Sequence, residues 1–434
     1  MSSHSLGARR VVTRLANLRK QDYWNRNLPT LLRTPKWGTS RNLSTRTAVE
    51  AGCVTPNSNI FISEATDPYF NLTLEDWLFR HAPPAEPLLL IYRDSPCVVI
   101  GRHQNPWTEV NFPALRAAGL PFIRRRSGGG TVYHDLGNTN FSIHLPRASF
   151  DRHKTGDIVR RAVQSLGVDA QLNDRNDICV GNEKMICRLE KPHILLFMCC
   201  LYLLHPFHVS GSAYKIVNKR AYHHGTMLIS TRLDTLGDVL RAPKKNIVTK
   251  GVASVRSPVC NLRHHSQSIS HNHFVEAVVS EFRKEYSIDN DIHYIGDTKE
   301  LRSVEYIQDG IDDLKTWEYM FGQTPEFTHH TQRTFPWAEV TAKIRSKHGV
   351  ILDCALHFDN THLSSLSAQK ISLLVNELCR DQRYGFQQET EDKHCEGGLT
   401  GFAGDPGKIP TDNNREELEI MLAVTRWILE EMCY

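Results

Sequence analysis

The apolar positions of this chain follow helical spacing in some stretches and strand-like runs in others, and no unit repeats. Asp67-Pro68 is a helix start, an N-cap followed by proline at the first helical position. Leu74, Trp77, Leu78 and His81 then share one face of the helix it opens. Leu88–Tyr92 and Cys97–Ile100 are short apolar runs separated by Asp94-Ser-Pro96, which predicts two strands paired with each other. Phe122-Ile123, Thr131–Tyr133, Asn140–His144 and His223–Ile229 read as further strands. Ile158, Val159, Ala162, Val163 and Leu166 predict a helix stopped by Gly167, and Phe274–Phe282 another helix. Gln387 to Asn414 is polar and reads as a loop or linker. Leu418, Met421, Leu422, Thr425, Ile428, Leu429 and Met432 predict a closing amphipathic helix. Helices and strands mix without strict alternation, so the expected class is α+β.

A length of 434 residues suggests two or three domains, at about 150 residues each. With 40% hydrophobic and 23% charged residues, whole-chain disorder and a collagen-like structure are excluded. The net charge of +4 hides an asymmetry: residues 1–50 hold ten Lys/Arg against two Asp/Glu, leaving 42 of the 52 basic and 46 of the 48 acidic residues for the rest. The body is close to neutral, which argues against broad electrostatic binding of nucleic acid. In the first fifty residues Arg9, Arg10, Arg14, Arg19, Arg26, Arg33, Arg41 and Arg46 recur among Ser and Thr. That is the composition of a mitochondrial transit peptide, and a plain basic tail is the alternative. Eleven cysteines without a CxxC pair suit reduced, mostly structural thiols. The longest apolar run, Ile194 to Leu204, is eleven residues, against roughly 20 needed to span a bilayer.

The strongest local signal is Arg124-Arg-Arg-Ser-Gly-Gly-Gly-Thr-Val-Tyr-His-Asp135. Three glycines between strands allow close backbone approach to a ligand and leave N–H groups for an anion. The three arginines before them supply charge suited to phosphate or carboxylate. It is neither a Walker loop nor a dinucleotide-binding GxGxxG segment, and spacing alone also fits an ordinary hairpin. A second cluster joins Gly211, Ser212 and Lys215 to Ala221-Tyr-His-His-Gly225. Adjacent strand residues point to opposite faces, so at most one of His223 and His224 faces a site.

Together these segments resemble the lipoate–protein ligase A and mitochondrial lipoyltransferase family. The resemblance rests on Asp67–Leu72, Val99–Trp107, Arg125–Phe141, Arg175-Asn-Asp177, Val209–Lys215, Tyr222–Thr226, Lys250–Ser257 and Trp317–Gly322, in that order along the chain. It implies a catalytic domain related to biotin ligases over residues 55–324, a smaller α+β accessory domain over 325–434, and a transit peptide over 1–50. It implies a matrix enzyme that converts lipoate and Mg·ATP to lipoyl-adenylate and pyrophosphate, then passes the lipoyl group to a protein lysine. The implied acceptors are lipoyl domains of 2-oxoacid dehydrogenase E2 subunits and the glycine-cleavage H protein. No nucleic acid or membrane partner is implied, and the expected state is a monomer.

Carried over by position, the resemblance assigns adenylate contacts to Arg125, Gly130, Thr131, Val132 and Tyr133. Lipoate contacts fall on Gly129, Ser210, Gly211 and His224. Asn138, Asn176 and Lys215 are supporting residues, and Asp177 is the candidate Mg²⁺ contact. The implied catalytic residue is Lys184, which would touch both the lipoate carboxyl and the α-phosphate and stabilise charge developing there. The resemblance puts this lysine immediately before the Val209-Ser-Gly-Ser-Ala segment, yet Met185 to His208 intervene here. That stretch has three cysteines and no Gly, Ser or Thr. It suits a retained intervening sequence, a loop that leaves the site intact, or a displacement of Lys184 that inactivates this form. Two rival functions follow: a transferase using a preformed lipoyl or octanoyl donor without ATP, and an inactive binder of lipoyl domains.

Overall fold

A computed structural model of the chain describes residues 58–181, 206–242, 246–385 and 412–432. The basic N-terminal segment and Lys184 lie outside the described residues, as does the stretch to His205. The architecture is α+β, as the pattern predicts.

The central sheet has strand order β10-β11-β6-β2-β1-β13. Its members are β1 Ile60–Ser63, β2 Leu88–Tyr92, β6 Asn138–Pro146, β10 Ser212–Val217, β11 Arg220–Leu228 and β13 Ile292–Ile295. A second sheet, β4-β3-β5, joins β3 Cys97–Ile100, β4 Phe122–Arg124 and β5 Val132–His134. A third is built from β7 Ala170–Leu172, β8 Ile178–Val180 and β9 Phe207–His208. The fourth contains β12 Ile247–Thr249, β14 Phe327–Phe335, β15 Ala338–Lys347 and β16 Val350–Asp359. The longer helices are α1 Pro68–His81, α2 Arg152–Ser165, α3 His271–Tyr286, α4 Glu305–Lys315, α5 Ser365–Cys379 and α6 Asp412–Met432. No helix among the described residues is long and apolar enough to cross a membrane.

The predicted N-cap is in place: Asp67 accepts the Tyr69 N–H at 2.9 Å ahead of Pro68. β2 is buried throughout because its alternate residues feed two cores. Leu89 and Ile91 pack with Ile158, Val159 and Phe274 of α2 and α3, and Leu88, Leu90 and Tyr92 pack with Leu74, Trp77 and Leu78 of α1.

The expected pairing of 88–92 with 97–100 is wrong. β2 pairs with β1 and β6, while β3 pairs with β4 and β5. The link between them holds Asp94, fully buried, whose carboxylate accepts from Asn71 Nδ2 at 2.9 Å and from Asn140 Nδ2 at 3.3 Å. His134 Nδ1 lies 2.7 Å from the same carboxylate. This anchor turns the chain from one sheet into the next, and an apolar run does not specify its partner strand.

The closing helix forms, but rotated from the expected face. Ile420, Val424, Trp427, Ile428 and Met432 are buried, whereas Leu418, Leu422 and Leu429 are 45%, 38% and 39% exposed. Trp427 enters a core with Val340, Ile344, Ile371 and Val375, and the largest side chain sets the rotation. The same core holds Trp107, Val110, Phe112 and Phe122. Packing is therefore continuous across 324/325, and β12 is a strand of the C-terminal sheet.

β8 and β9 pair antiparallel, Val180 with Phe207 and Cys179 with His208. The chain thus leaves at Gly181 and returns at Pro206 on facing strands, so Phe207 and His208 belong to the fold and not to the atypical stretch.

Candidate active site

The glycine segment links β4 to β5, and buried arginines shape it from below. Arg124 is fully buried and donates to Gly101 O, Arg102 O and Gln104 O at 3.1, 2.9 and 3.0 Å, and to Met320 O at 2.7 Å. Arg125 donates to Val99 O at 3.2 Å, Ser127 Oγ at 3.0 Å and Gly130 O at 2.7 Å, and also to Gly128 O. Burial pushes its guanidinium down to about 10. Arg126 lies 3.6 Å from Asp76 and 3.5 Å from Asp313, over the Tyr319 ring. The reading of Arg124 and Arg125 as free charge for an anion is therefore corrected. They are spent on the chain's own carbonyls and hydroxyls, and what Arg125 gives a ligand is the shape of the turn, whereas Arg126 keeps a buried Nε with no hydrogen-bond partner among the described residues.

That turn requires glycine at one of its own positions and at one position packed against it. Gly129 has φ +83°, and a Cβ there would stand 2.8 Å from Ala213 Cβ. A Cβ on Gly101 would meet Gly129 O at 2.0 Å. Thr131 ties the segment outward: its N–H donates to Ser254 Oγ at 3.0 Å and its hydroxyl to Gln104 Oε1 at 2.9 Å. Gln104 Nε2 donates to Ser254 Oγ at 2.9 Å, so the 99–107, 125–141 and 250–257 segments meet at one knot. Val132 and Tyr133 continue into β5, where the Tyr133 ring is buried in the core.

The opposite wall is β10 and β11 backed by α1. His223 and His224 face opposite ways, as strand alternation requires. His223 Nδ1 lies 2.9 Å from Thr155 Oγ1 of α2. His224 Nε2 lies 2.8 Å from Ser127 Oγ, and its Nδ1 2.9 Å from Glu75 Oε1 of α1. Burial works to raise Glu75, but His224 beside it outweighs that and holds the carboxyl below its ordinary value. With Glu75 ionised, His224 Nδ1–H donates to it, and in the neutral imidazole Nε2 accepts the Ser127 O–H. Asp76, next on α1, receives Lys215 Nζ at 2.7 Å and Arg80 Nε at 2.8 Å. Burial would raise this carboxyl too, yet Lys215, Arg126 and Arg80 drive it far below the usual range. Lys215 is thus committed to a buried pair and is not a spare cation.

Ser210 is buried, and its hydroxyl has no partner among the described residues. A buried unpaired hydroxyl is costly unless a ligand or water meets it, which suits the expected lipoate contact. Gly211 follows, bonded both ways to Thr226. Asn176 takes φ 62° in a turn organised by Asn173 Oδ1, which accepts from Arg175 N and Asp177 N. Asn138 donates to Asn140 Oδ1 at 2.9 Å, beside Asp94.

Asp177 does not look like a resident metal ligand. Its Oδ1 accepts Ser212 N–H at 3.2 Å and Ser212 O–H at 3.3 Å, and its Oδ2 accepts Arg175 Nε at 3.1 Å. Among the described residues the one group with metal-like spacing is Asp94, Cys97 and His134, elsewhere. These residues do not fit a bound Mg²⁺. In this arrangement Asp177 is a clamp between the turn before β8 and the start of β10.

Sequence reasoning assigned no role to Glu75, Asp76, Gln104, Ser127 or Ser254. A usable signal existed for the first two, a pair of carboxylates on a helix face between Leu74, Trp77 and Leu78. Such charges need buried partners.

The lipoyl protein ligase A/B catalytic domain matches residues 67–283 of the chain. The lipoate-protein ligase A of Psychrobacter cryohalolentis is 34% identical over 319 residues, covering 72% of this chain and 87% of that protein. The putative lipoate-protein ligase A of Schizosaccharomyces pombe is 35% identical over 297 residues, covering 64% and 74%. Among solved structures, P. falciparum LipL1 in complex with lipoate shares the fold at a TM-score of 0.50 and 22% identity, over 86% of this chain and 99% of that one. With these matches and a glycine turn packed against the β10–β11 wall, the chain belongs to the lipoate–protein ligase A family of enzymes.

Proposed function

We propose that this chain activates lipoate with Mg·ATP and transfers it to a lysine of lipoyl domains, those of 2-oxoacid dehydrogenase E2 subunits and of the glycine-cleavage H protein, in the mitochondrial matrix. A lipoate carboxylate oxygen attacks the α-phosphorus, the bond to the β-phosphate oxygen breaks, and pyrophosphate leaves. The acceptor amine then attacks the carbonyl of the mixed anhydride, the acyl–phosphate bond breaks, AMP leaves, and the amine gives up a proton. A carboxylate has a poor leaving group at neutral pH, and adenylation replaces it with a good one.

The observation that carries the reading is a glycine turn pinned by Arg125 and packed against β10, with the buried, unpartnered Ser210 hydroxyl two residues before that strand. Backbone N–H groups of Gly128–Gly130 suit developing negative charge at the carboxyl and α-phosphate without reorganisation. Ser127, held between Arg125 and His224, fixes where that turn lies. Lys184 is the ammonium expected to bridge carboxyl and phosphate.

Pyrophosphate exchange tests the reading. The full chain and a form lacking residues 185–205, which keeps β9, are each given ATP, lipoate and labelled pyrophosphate, and then an acceptor lipoyl domain. Exchange in either form, abolished by Lys184→Ala, is expected. Intact transfer from supplied lipoyl-adenylate with no exchange would favour the transferase without ATP activation. Failure of both forms to modify an acceptor would leave a non-catalytic binder.

A further inference from the structure

β10 is the last strand of the central sheet, and its register fixes which backbone groups its outer edge presents. Thr226 N donates to Gly211 O at 3.0 Å, one rung before the Ser212–Gly225 pair. Hydrogen-bonded and non-bonded pairs alternate along an antiparallel ladder. Ala213, Lys215 and Val217 therefore turn their N–H and C=O toward β11, and Ser212, Tyr214 and Ile216 turn theirs outward. The outward Ser212 N–H is taken by Asp177. Tyr214 and Ile216 remain as two successive rungs that meet no strand among the described residues.

Exposed edges are ordinarily blunted by proline, bulges or outward lysines. β10 has no proline, its ladder to β11 runs without a bulge, and its one lysine is drawn inward onto Asp76. Tyr214 and Ile216 are 43% and 45% exposed. The Arg152 guanidinium lies 4.2 Å over the Tyr214 ring, with its Nε buried and unpartnered and one bond to Arg175 O. The edge also runs up to the glycine turn: Tyr214 is two residues, about 7 Å, from Ser212, and Ala213 touches that turn.

We propose that the outer edge of β10 is the docking site for the acceptor protein, which adds an extended strand along Tyr214–Ile216 and places an acidic side chain against Arg152. Main-chain bonds supply affinity, and Tyr214, Ile216 and Arg152 supply selectivity. The strand's end then delivers the acceptor lysine to the glycine turn. This rests on the reading that the acyl acceptor is a protein lysine.

Ile216→Pro tests it, because proline there removes only an outward N–H and is tolerated on an edge. Three rates are measured: pyrophosphate exchange, lipoyl transfer to hydroxylamine, and transfer to an acceptor lipoyl domain. The variant should keep the first two within twofold and raise the acceptor KM at least tenfold. Ile216→Ala, which keeps the N–H, should stay within threefold on all. An unchanged acceptor KM in Ile216→Pro overturns the proposal, and so does loss of self-association by that variant with acceptor transfer intact. If proline disturbs exchange, Arg152→Glu decides: its acceptor KM must rise, and fall back when the acceptor's acidic residues are reversed to lysine. Absence of exchange in the unaltered chain would count against ATP activation alone, since the strand test runs equally well from supplied lipoyl-adenylate.

Discussion

The two walls of the candidate site bury comparable charge by different means. The glycine wall sets Arg124 and Arg125 against backbone carbonyls and hydroxyls. The β10–β11 wall sets His224 and Lys215 against the carboxylates Glu75 and Asp76 of α1. In the first, neither the guanidinium nor its acceptors change charge near neutral pH. The second rests on the carboxylates Glu75 and Asp76, which are held below their ordinary values and lose charge in acid. One wall is thus a fixed template and the other an acid-sensitive backing, which gives three ways to separate them.

The largest effect should come from Arg125→Met. It removes donors from Val99 O, Ser127 Oγ, Gly128 O and Gly130 O at once and leaves those groups buried. Each buried acceptor left without its donor costs about 1–3 kcal/mol. The glycine turn should also lose its shape, with both half-reactions falling by about a hundredfold or more, as misplacement by about 1 Å can produce. Urea unfolding and pyrophosphate exchange measure the two losses. Arg125→Lys should recover little, because a compact ammonium cannot span acceptors placed for a planar fork. Recovery above half would mean the wall needs only charge.

What the sequence disclosed follows from distance along the chain. The Asp67-Pro68 start and the opposed faces of His223 and His224 are set by neighbouring residues, and both were legible. The roles of the arginines were not, because Arg124 meets Met320 across 196 positions. Glu75 and Asp76 find His224 and Lys215 149 and 139 positions away. Family likeness marked the glycine turn as a site, but not that its arginines face inward. The rotation of α6 was missed for the same reason: Leu418, Leu422 and Leu429 score as apolar as the residues that are buried, and only the fit of Trp427 between β15 and α5 separates the two stripes.

Acidification should act first on the sheet that carries the second wall. Burial pushes His144 of β6 and His223 of β11 down to about 3, against an ordinary value near 6.5. Between those values the unfolded chain takes up protons that the folded chain refuses. Stability is full above about 6.5 and falls as pH drops toward 3, by about 1.4 kcal/mol per pH unit for each histidine. Glu75 and Asp76, held below 4.5 and 3.8, stabilise above those values, and that share is lost as pH falls through their lowered folded values. His223→Gln should flatten the dependence between pH 6 and 4 by about one histidine's slope. Urea midpoints for the two proteins across that range that run parallel would show that His223 does not carry it.

The smallest effect concerns Ser127, where the walls touch by hydrogen bond. Its hydroxyl receives Arg125 Nε and lies against His224 Nε2. Ser127→Ala removes one atom and should cost about 1 kcal/mol, the ordinary net value of a buried hydrogen bond. The informative quantity is the coupling between walls. In the unaltered chain, Arg125→Met and His224→Gln share Ser127 as a partner, so their costs should differ from additive by about 0.5–3 kcal/mol. With alanine at 127 that link is gone, and the same two substitutions should add. A double-mutant cycle of unfolding free energies on both backgrounds measures the change. Equal coupling on both would mean the walls communicate through the contact of Gly129 with Ala213, and that Ser127 only fills space between an arginine and a histidine anchored elsewhere.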